Sequence, residues 1–252
     1  MASILHNQEQ GVLTLTLNRV DKKNALTADM YAALADHLTQ AQAANDVRVV
    51  LLQGHETVFS AGNDIADFLQ QPPANPDSPV SRFLRGIAVF PKPLLASVCG
   101  PAVGVGTTLL FHCDLVYAGD NAAFSMPFVN LGLCPEAASS VLAVKLMGYQ
   151  RAAEALLMGE PFMVETALEM GLVSRVLPPA EVNAYAQRQA QKMAAKPLSS
   201  LIETKRLMKQ ASTPAVLSQM DQEAAVFGRM LKEPAAIEAF SAFMEKRKPV
   251  FG

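Results

Sequence analysis

The stretch "PLLASVCGPAVGVGTTLLFHCDLVYAG", residues 93–119, decides the fold class. It opens as a strand that runs into a glycine turn at Gly100, Gly104 and Gly106. "TTLLFHC" then reads as a buried helix and "DLVYAG" as another strand. Strand, turn, helix and strand in immediate succession give the rhythm of an α/β domain.

The rhythm extends upstream. In "GVLTLTLNR", residues 11–19, Val12 and Thr14 fall on one side, and Leu13, Leu15 and Leu17 on the other. This period of two predicts a half-buried strand. Thr27 is an N-cap candidate for a helix striped by Met30, Leu34 and Leu38. "VRVVLLQG", residues 47–54, is a buried strand ended by glycine. "VFSAGNDIADFL" is a second glycine turn, entering a short helical segment. The Pro-rich stretch 70–80 is either a lid or a solvated connector, and a helix is expected over 81–90. Beyond about residue 145 the strand signal fades. Helices are expected over 150–158, 164–170, 179–196, 197–210, 214–232 and 234–246, several with Pro near the first turn. The resulting organisation is an α/β core, residues 1–195, followed by a helical region, residues 196–252.

Bulk composition removes several function classes. Of 252 residues, 50% are apolar, so a sizeable core forms and disorder is excluded. The net charge is −2, and no basic run exceeds the short "EKRK", so no nucleic-acid footprint is expected. Cys99, Cys113 and Cys134 are odd in number and lack CxxC spacing, which fits buried thiols in a reducing compartment. His6, His37, His55 and His112 are scattered, so no metal site is expected. The N-terminus lacks a signal-peptide pattern, no stretch reaches the roughly 18 apolar residues of a membrane span, and "PVFG" is no peroxisomal address. A cytoplasmic protein without a membrane partner is expected.

The two glycine turns, "FSAGNDI" and "GPAVGVGTTL", both follow strands and precede helices. Backbone N–H groups at such junctions are unpaired, and the helix dipole adds positive potential. Brought side by side, the turns would aim two donors at one oxygen, an oxyanion hole. A glycine that merely ends a strand is the ordinary alternative. "GVG" does not complete a dinucleotide fingerprint, and no P-loop is present.

Taken together, "NRVDKKNALT", "FSAGNDIADF", "GPAVGVGTTLLFHCDLVYAGDNAAFSMPFVNLGLCPEAASS" and "FMEKRKPVF" resemble the enoyl-CoA hydratase/isomerase, or crotonase, family over nearly the whole chain. The run through "CPEAASS" is most similar to the peroxisomal type of Δ3,Δ2-enoyl-CoA isomerase. The resemblance implies an α/β fold with a spiral core of repeated ββα units and C-terminal helices that help form a homotrimer, or a hexamer built as a dimer of trimers. It implies an acyl-CoA thioester as substrate, with CoA part of that substrate and no cofactor or metal required. It places the backbone N–H groups of Asn63 and Val105 at the oxyanion hole. Ala61, Gly62, Asn63, Asp64 and Ile65 match the loop lining the CoA, with Gly104 beside Val105. Asn24, Ala25 and Leu26 match the first CoA-contacting segment, of which Ala25 is assigned to the site.

One carboxylate then separates the reactions. Glu136 is the one acid between Asp120 and Glu154. Hydratases of this family are similar in using two glutamates. The resemblance puts Thr108 and Phe128 at those positions, and neither side chain does acid–base chemistry at neutral pH. Moving a double bond needs a single carboxylate that takes a proton and returns it, and Glu136 matches the isomerase acid. Phe128, Val129, Leu131 and Leu133 fit a dry slot for an acyl chain. Burial would raise the Glu136 pKa, and a helix start after Pro135 would lower it.

Other candidates have ordinary readings. Asp64 is a second acid or a helix cap. Asp114 is expected to accept backbone hydrogen bonds near the glycine turn, His112 to be a satisfied core histidine, and Met126, Met147 and Met158 to fill the core. Lys246, Arg247 and Lys248 meet CoA phosphates or complement a helix C-terminus. The expected activity is a shift of the double bond from C3 to C2 of an enoyl-CoA. The alternatives are an enoyl-CoA hydratase and a non-catalytic acyl-CoA-binding homologue.

Overall fold

The computed structural model describes residues 2–71, 75 and 77–252. The choice between lid and connector over 70–80 turns on Pro72, Pro73, Ala74 and Pro76, which lie outside the described residues.

The chain opens with a hairpin, β1 (Ile4–Glu9) and β2 (Val12–Leu17), turned at Gln10 and Gly11, both with positive φ. Such a turn matches the twist of the flanking strands. Helix α1 (Ala28–Ala43), capped by Thr27 Oγ1 accepting from Met30 N–H, leads to β3 (Val49–Gln53). Then come α2 (Ile65–Gln70), α3 (Pro79–Val89), β4 (Leu94–Val98), β5 (Pro101–Val103), α4 (Val105–Thr108) and β6 (Leu115–Gly119). They are followed by β7 (Ala123–Ser125), α5 (Ser139–Met147), α6 (Tyr149–Ala153), β8 (Phe162–Met163), α7 (Val164–Glu169) and β9 (Arg175–Leu177). The chain closes with α8 (Pro179–Ala194), α9 (Leu198–Lys209), α10 (Thr213–Met230) and α11 (Pro234–Met244).

The main sheet has six strands in the order β1-β2-β3-β4-β6-β9, parallel except for the β1–β2 hairpin. A second sheet, β5-β7-β8, pairs β5 parallel with β7 and β7 antiparallel with β8. This is an α/β fold. Strands β1, β5, β7, β8 and β9 correct the sequence reading. β1 runs from two apolar residues into four polar ones and shows no alternation, and β5, β7, β8 and β9 are too short to show a period.

The expectation of a half-buried β2 is also corrected. Leu13, Leu15 and Leu17 pack with α1 and α3, while Val12 packs with Val182, Ala186, Ala190 and Ala194 of α8. Thr14 Oγ1 donates to Gln187 Oε1 of α8 at 2.9 Å, so a polar residue on that face is satisfied although covered. The small i, i+4 stripe on α8 lets the helix lie close to the sheet. A further core joins Met126, Phe128 and Leu133 to Phe227, Ala236 and Phe240. Through it, α10 and α11 fold over the segment after β7. Among the described residues no helix is long and apolar enough to cross a membrane.

Candidate active site

The two glycine turns meet. Ser60 and Ala102 form a parallel bridge, and Val103 N–H donates to Ser60 O at 2.9 Å. The glycines make this approach possible. A Cβ on Gly62, whose φ is +88°, would stand 2.9 Å from Val103 O, and one on Gly106 would stand 3.1 Å from Ser60 O. Neighbouring amides are engaged: Gly62 N–H to Ser60 Oγ, Asp64 N–H to Leu26 O and Gly104 N–H to Ser125 O. Among the described residues, no acceptor takes the N–H of Asn63 or Val105. Both residues line one cleft of about 480 Å³.

Ala25, Ala61, Gly62, Asp64 and Ile65 line the same cleft from one side, and Gly104, Phe128 and Leu131 from the other. Asn24 and Leu26 are buried away from it. The Asn24 side chain donates to Phe59 O at 3.0 Å and accepts from Arg19 N–H at 2.8 Å, fixing the loop that presents Ala25. Sequence reasoning missed Lys22 and Lys23, whose side of the cleft is the "DKKNA" loop, and Phe227, Phe240, Phe243 and Met244 from the C-terminal helices. The lysines adjoin Ala25 and were readable in principle. The aromatic residues lie too far along the chain for any local pattern to place them.

Glu136 is not in the first turn of a helix, as expected, but in a turn before it. Helix α5 begins at Ser139, and Ala137 and Ala138 intervene with φ of 59° and 57°. The Glu136 carboxylate is buried, and among the described residues its Oε1 has no hydrogen-bond partner. Burial, and then the charge of Glu223, push its pKa up to about 8. Thus burial prevails over any helix-terminus effect. Glu136 lines a second cavity of about 310 Å³, and Phe227 is a wall of both cavities. Tyr31 touches the first glycine turn and feels the charge of Glu136. Its hydroxyl donates to Asn63 Oδ1, while burial and then the charge of Glu136 raise its pKa well above the usual phenol value.

Thr108 and Phe128 are buried and not ionisable in the working range, and Thr108 Oγ1 is a second buried oxygen with no partner among the described residues. Asp64 caps α2 through Asp67 N–H and pairs with Arg19 at 2.7 Å. Burial pushes its carboxyl up, but the Arg19 and backbone hydrogen bonds outweigh that and hold it below the usual range. Asp114 does accept a backbone hydrogen bond, but from Leu94 N–H at the start of β4 rather than near the glycine turn, and it also binds Lys205 at 2.6 Å. His112 is buried, with Nε2 2.8 Å from Ala137 O, and burial brings its pKa down to about 4. Arg247 is engaged by Glu238 and Glu245, which removes it from the free cations of "EKRK". Met126 and Met147 are core residues, whereas Met158, the last residue of a π-helical turn over Glu154–Met158, is exposed. Among the described residues, no cluster of three His, Cys, Asp or Glu side chains could hold a metal ion.

The enoyl-CoA hydratase/isomerase family model matches residues 7–252. The chain belongs to the enoyl-CoA hydratase/isomerase family. Within this family the chain is similar to proteins of both named activities. It is 32% identical to the 2,3-dehydroadipyl-CoA hydratase of Escherichia coli (strain K12), over 100% of this chain and 99% of that protein. It is 34% identical to enoyl-CoA delta isomerase 2 of Rattus norvegicus, over 98% of this chain and 64% of that protein. The crystal structure of an enoyl-CoA hydratase/isomerase from Pseudoalteromonas atlantica T6c superposes with a TM-score of 0.94 at 38% identity, covering 100% of both chains. Family membership makes acyl-CoA thioesters the substrate class.

Proposed function

We propose that the protein is a Δ3,Δ2-enoyl-CoA isomerase that moves a double bond with one carboxylate. The observation behind this reading is the Glu136 carboxylate: buried, without a partner at Oε1 among the described residues, and with a pKa that burial pushes up to about 8. Thr108 and Phe128 supply no second acid, which disfavours hydration.

The 3-enoyl thioester oxygen accepts hydrogen bonds from Asn63 N–H and Val105 N–H. This makes C2–H more acidic. Glu136 removes a C2 proton, negative charge moves onto the thioester oxygen, and the dienolate takes the same proton back at C4. The product is conjugated with the thioester, which favours it. A carboxylate stripped of hydration is a stronger base, and general acid–base help is worth about 10²–10⁴-fold. Each oxyanion donor is worth about 10²–10³-fold. The apolar walls keep water from the dienolate.

Phe227 lines both the amide cleft and the Glu136 cavity, so an acyl chain reaching from one to the other would pass this ring. Lys22 and Lys23 at the cleft suit the CoA phosphates by charge. Exposed Tyr149, Leu157, Met158, Met163 and Leu168 give the region around α6 and α7 an apolar surface suited to a trimer contact. The test is a coupled assay with 3-enoyl-CoAs beside a 2-enoyl-CoA hydration assay. Appearance of the conjugated thioester absorbance from a 3-enoyl substrate supports isomerisation. Efficient loss of that absorbance from a 2-enoyl substrate favours the hydratase reading.

A further inference from the structure

We infer that Glu223, on α10, is a positioning residue for Glu136: it clamps the turn that aims the base and sets a second buried carboxylate beside it. The inference rests on reading Glu136 as that base.

Ala137 and Ala138 both adopt left-handed backbone, which alanine disfavours. Such a turn persists when its surroundings hold it. His112 holds one side through Nε2 and Ala137 O. Glu223 holds the other side. Its Oε2 accepts Ala138 N–H at 2.5 Å, and its Oε1 accepts Ser140 N–H at 3.1 Å and the Ser140 hydroxyl. Gln219 Nε2 fixes the Ser140 hydroxyl from the preceding turn of α10, at 2.9 Å.

A clamp alone does not require a charge. Glu223 is 5% exposed, and among the described residues no cation pairs with it. A buried carboxylate without a cation is costly to desolvate, and a neutral acceptor would serve a purely structural clamp at lower cost. Glu223 and Glu136 line one cavity. The other titratable groups around it are Tyr31 from α1, His112 from the turn after α4, Cys134 from the loop before Glu136, and Arg85 and Asp221 at the cavity wall. Arg85 is bound to Asp221, and burial holds His112 neutral. Burial raises the Glu223 pKa too, opposed by its bonds from Ser140 and Ala138; once ionised, its charge adds to burial in making Glu136 a stronger base.

The experiment compares wild type, Glu223→Gln and Ser140→Ala in the isomerase assay across pH, with thermal midpoints and CoA affinity measured alongside. Carboxyl-carbon NMR of glutamate-labelled protein follows Glu136 directly. Glu223→Gln is expected to lower kcat by about 10²-fold through misplacement of the base, with KM nearly unchanged. Its ascending pH limb and the Glu136 titration move to lower pH by about one unit or more. Ser140→Ala removes a clamp but keeps the charge, so kcat falls and the pH limb stays in place. A folded Glu223→Gln protein with wild-type kcat, or with lowered kcat and an unmoved Glu136 titration, overturns the inference. If Glu223→Gln does not fold, Ser140→Ala decides, and wild-type turnover in it overturns the inference. Full activity in Glu136→Gln would instead sink the isomerase reading itself, which keeps the two failures distinct.

Discussion

Tyr31 donates its hydroxyl hydrogen to Asn63 Oδ1 at 2.5 Å. This bond ties the first glycine turn to helix α1. It also engages the Asn63 side chain, leaving the backbone N–H of the same residue as the donor available to a ligand. Tyr31 and Asn63 are far apart in sequence, so the pair is a product of the fold.

Tyr31→Phe leaves Asn63 Oδ1 without its partner. The loss of one such buried bond costs about 1–3 kcal/mol of stability. Chemical denaturation should show that loss, and the isomerase assay should show a lower kcat with KM for the acyl-CoA little changed. An unaltered kcat would mean that Asn63 needs no anchoring from α1.

Gly62→Ala places a methyl group 2.9 Å from Val103 O at a φ of +88°. The turn must shift away from its neighbour, which moves Asn63 N–H. The expected result is a folded protein whose kcat/KM falls by about 10²-fold, the value of one oxyanion donor. Circular dichroism and steady-state kinetics check the two halves of this statement.

The stability difference between wild type and Glu136→Gln should depend on pH in a specific way. The folded pKa is raised, from 4.5 to about 8, so folding favours the neutral acid. At or below pH 4.5 the carboxyl costs nothing extra. As pH rises from 4.5 to 8 the native state loses stability relative to the unfolded chain, and above 8 the loss is constant. A glutamine carries no such penalty. The variant should therefore match wild type in unfolding free energy near pH 4.5 and exceed it by pH 8, by an amount on the order of a few kcal/mol, as chemical denaturation at each pH would show. A constant difference across that range would show that Glu136 is not held in a charge-disfavouring site.

Much of this was legible in the sequence. The glycine turns were readable because Gly62 and Gly106 answer a steric requirement, and local pattern reports such requirements well. Asp64 was readable as a cap because capping is decided within three residues. The second layer of the site was not legible. Glu223 approaches Glu136 from α10, across a sequence separation that no spacing rule spans, and Phe227 does the same for the two cavities. Glu136 itself was placed in a helix, because "PEAASS" reads as a helix start. The left-handed Ala137 and Ala138 contradict alanine's own preference, and tertiary hydrogen bonds impose them.

The central claim is that one buried glutamate both takes and returns the proton. The most direct measurement is 3-enoyl-CoA isomerisation by wild type and Glu136→Gln over a range of pH. The account predicts a wild-type kcat/KM that rises with an apparent pKa near 8, and a folded, CoA-binding variant whose turnover falls by at least about 10²-fold at every pH. A variant that keeps most of its turnover, or a wild-type profile flat across that pH range, would contradict it.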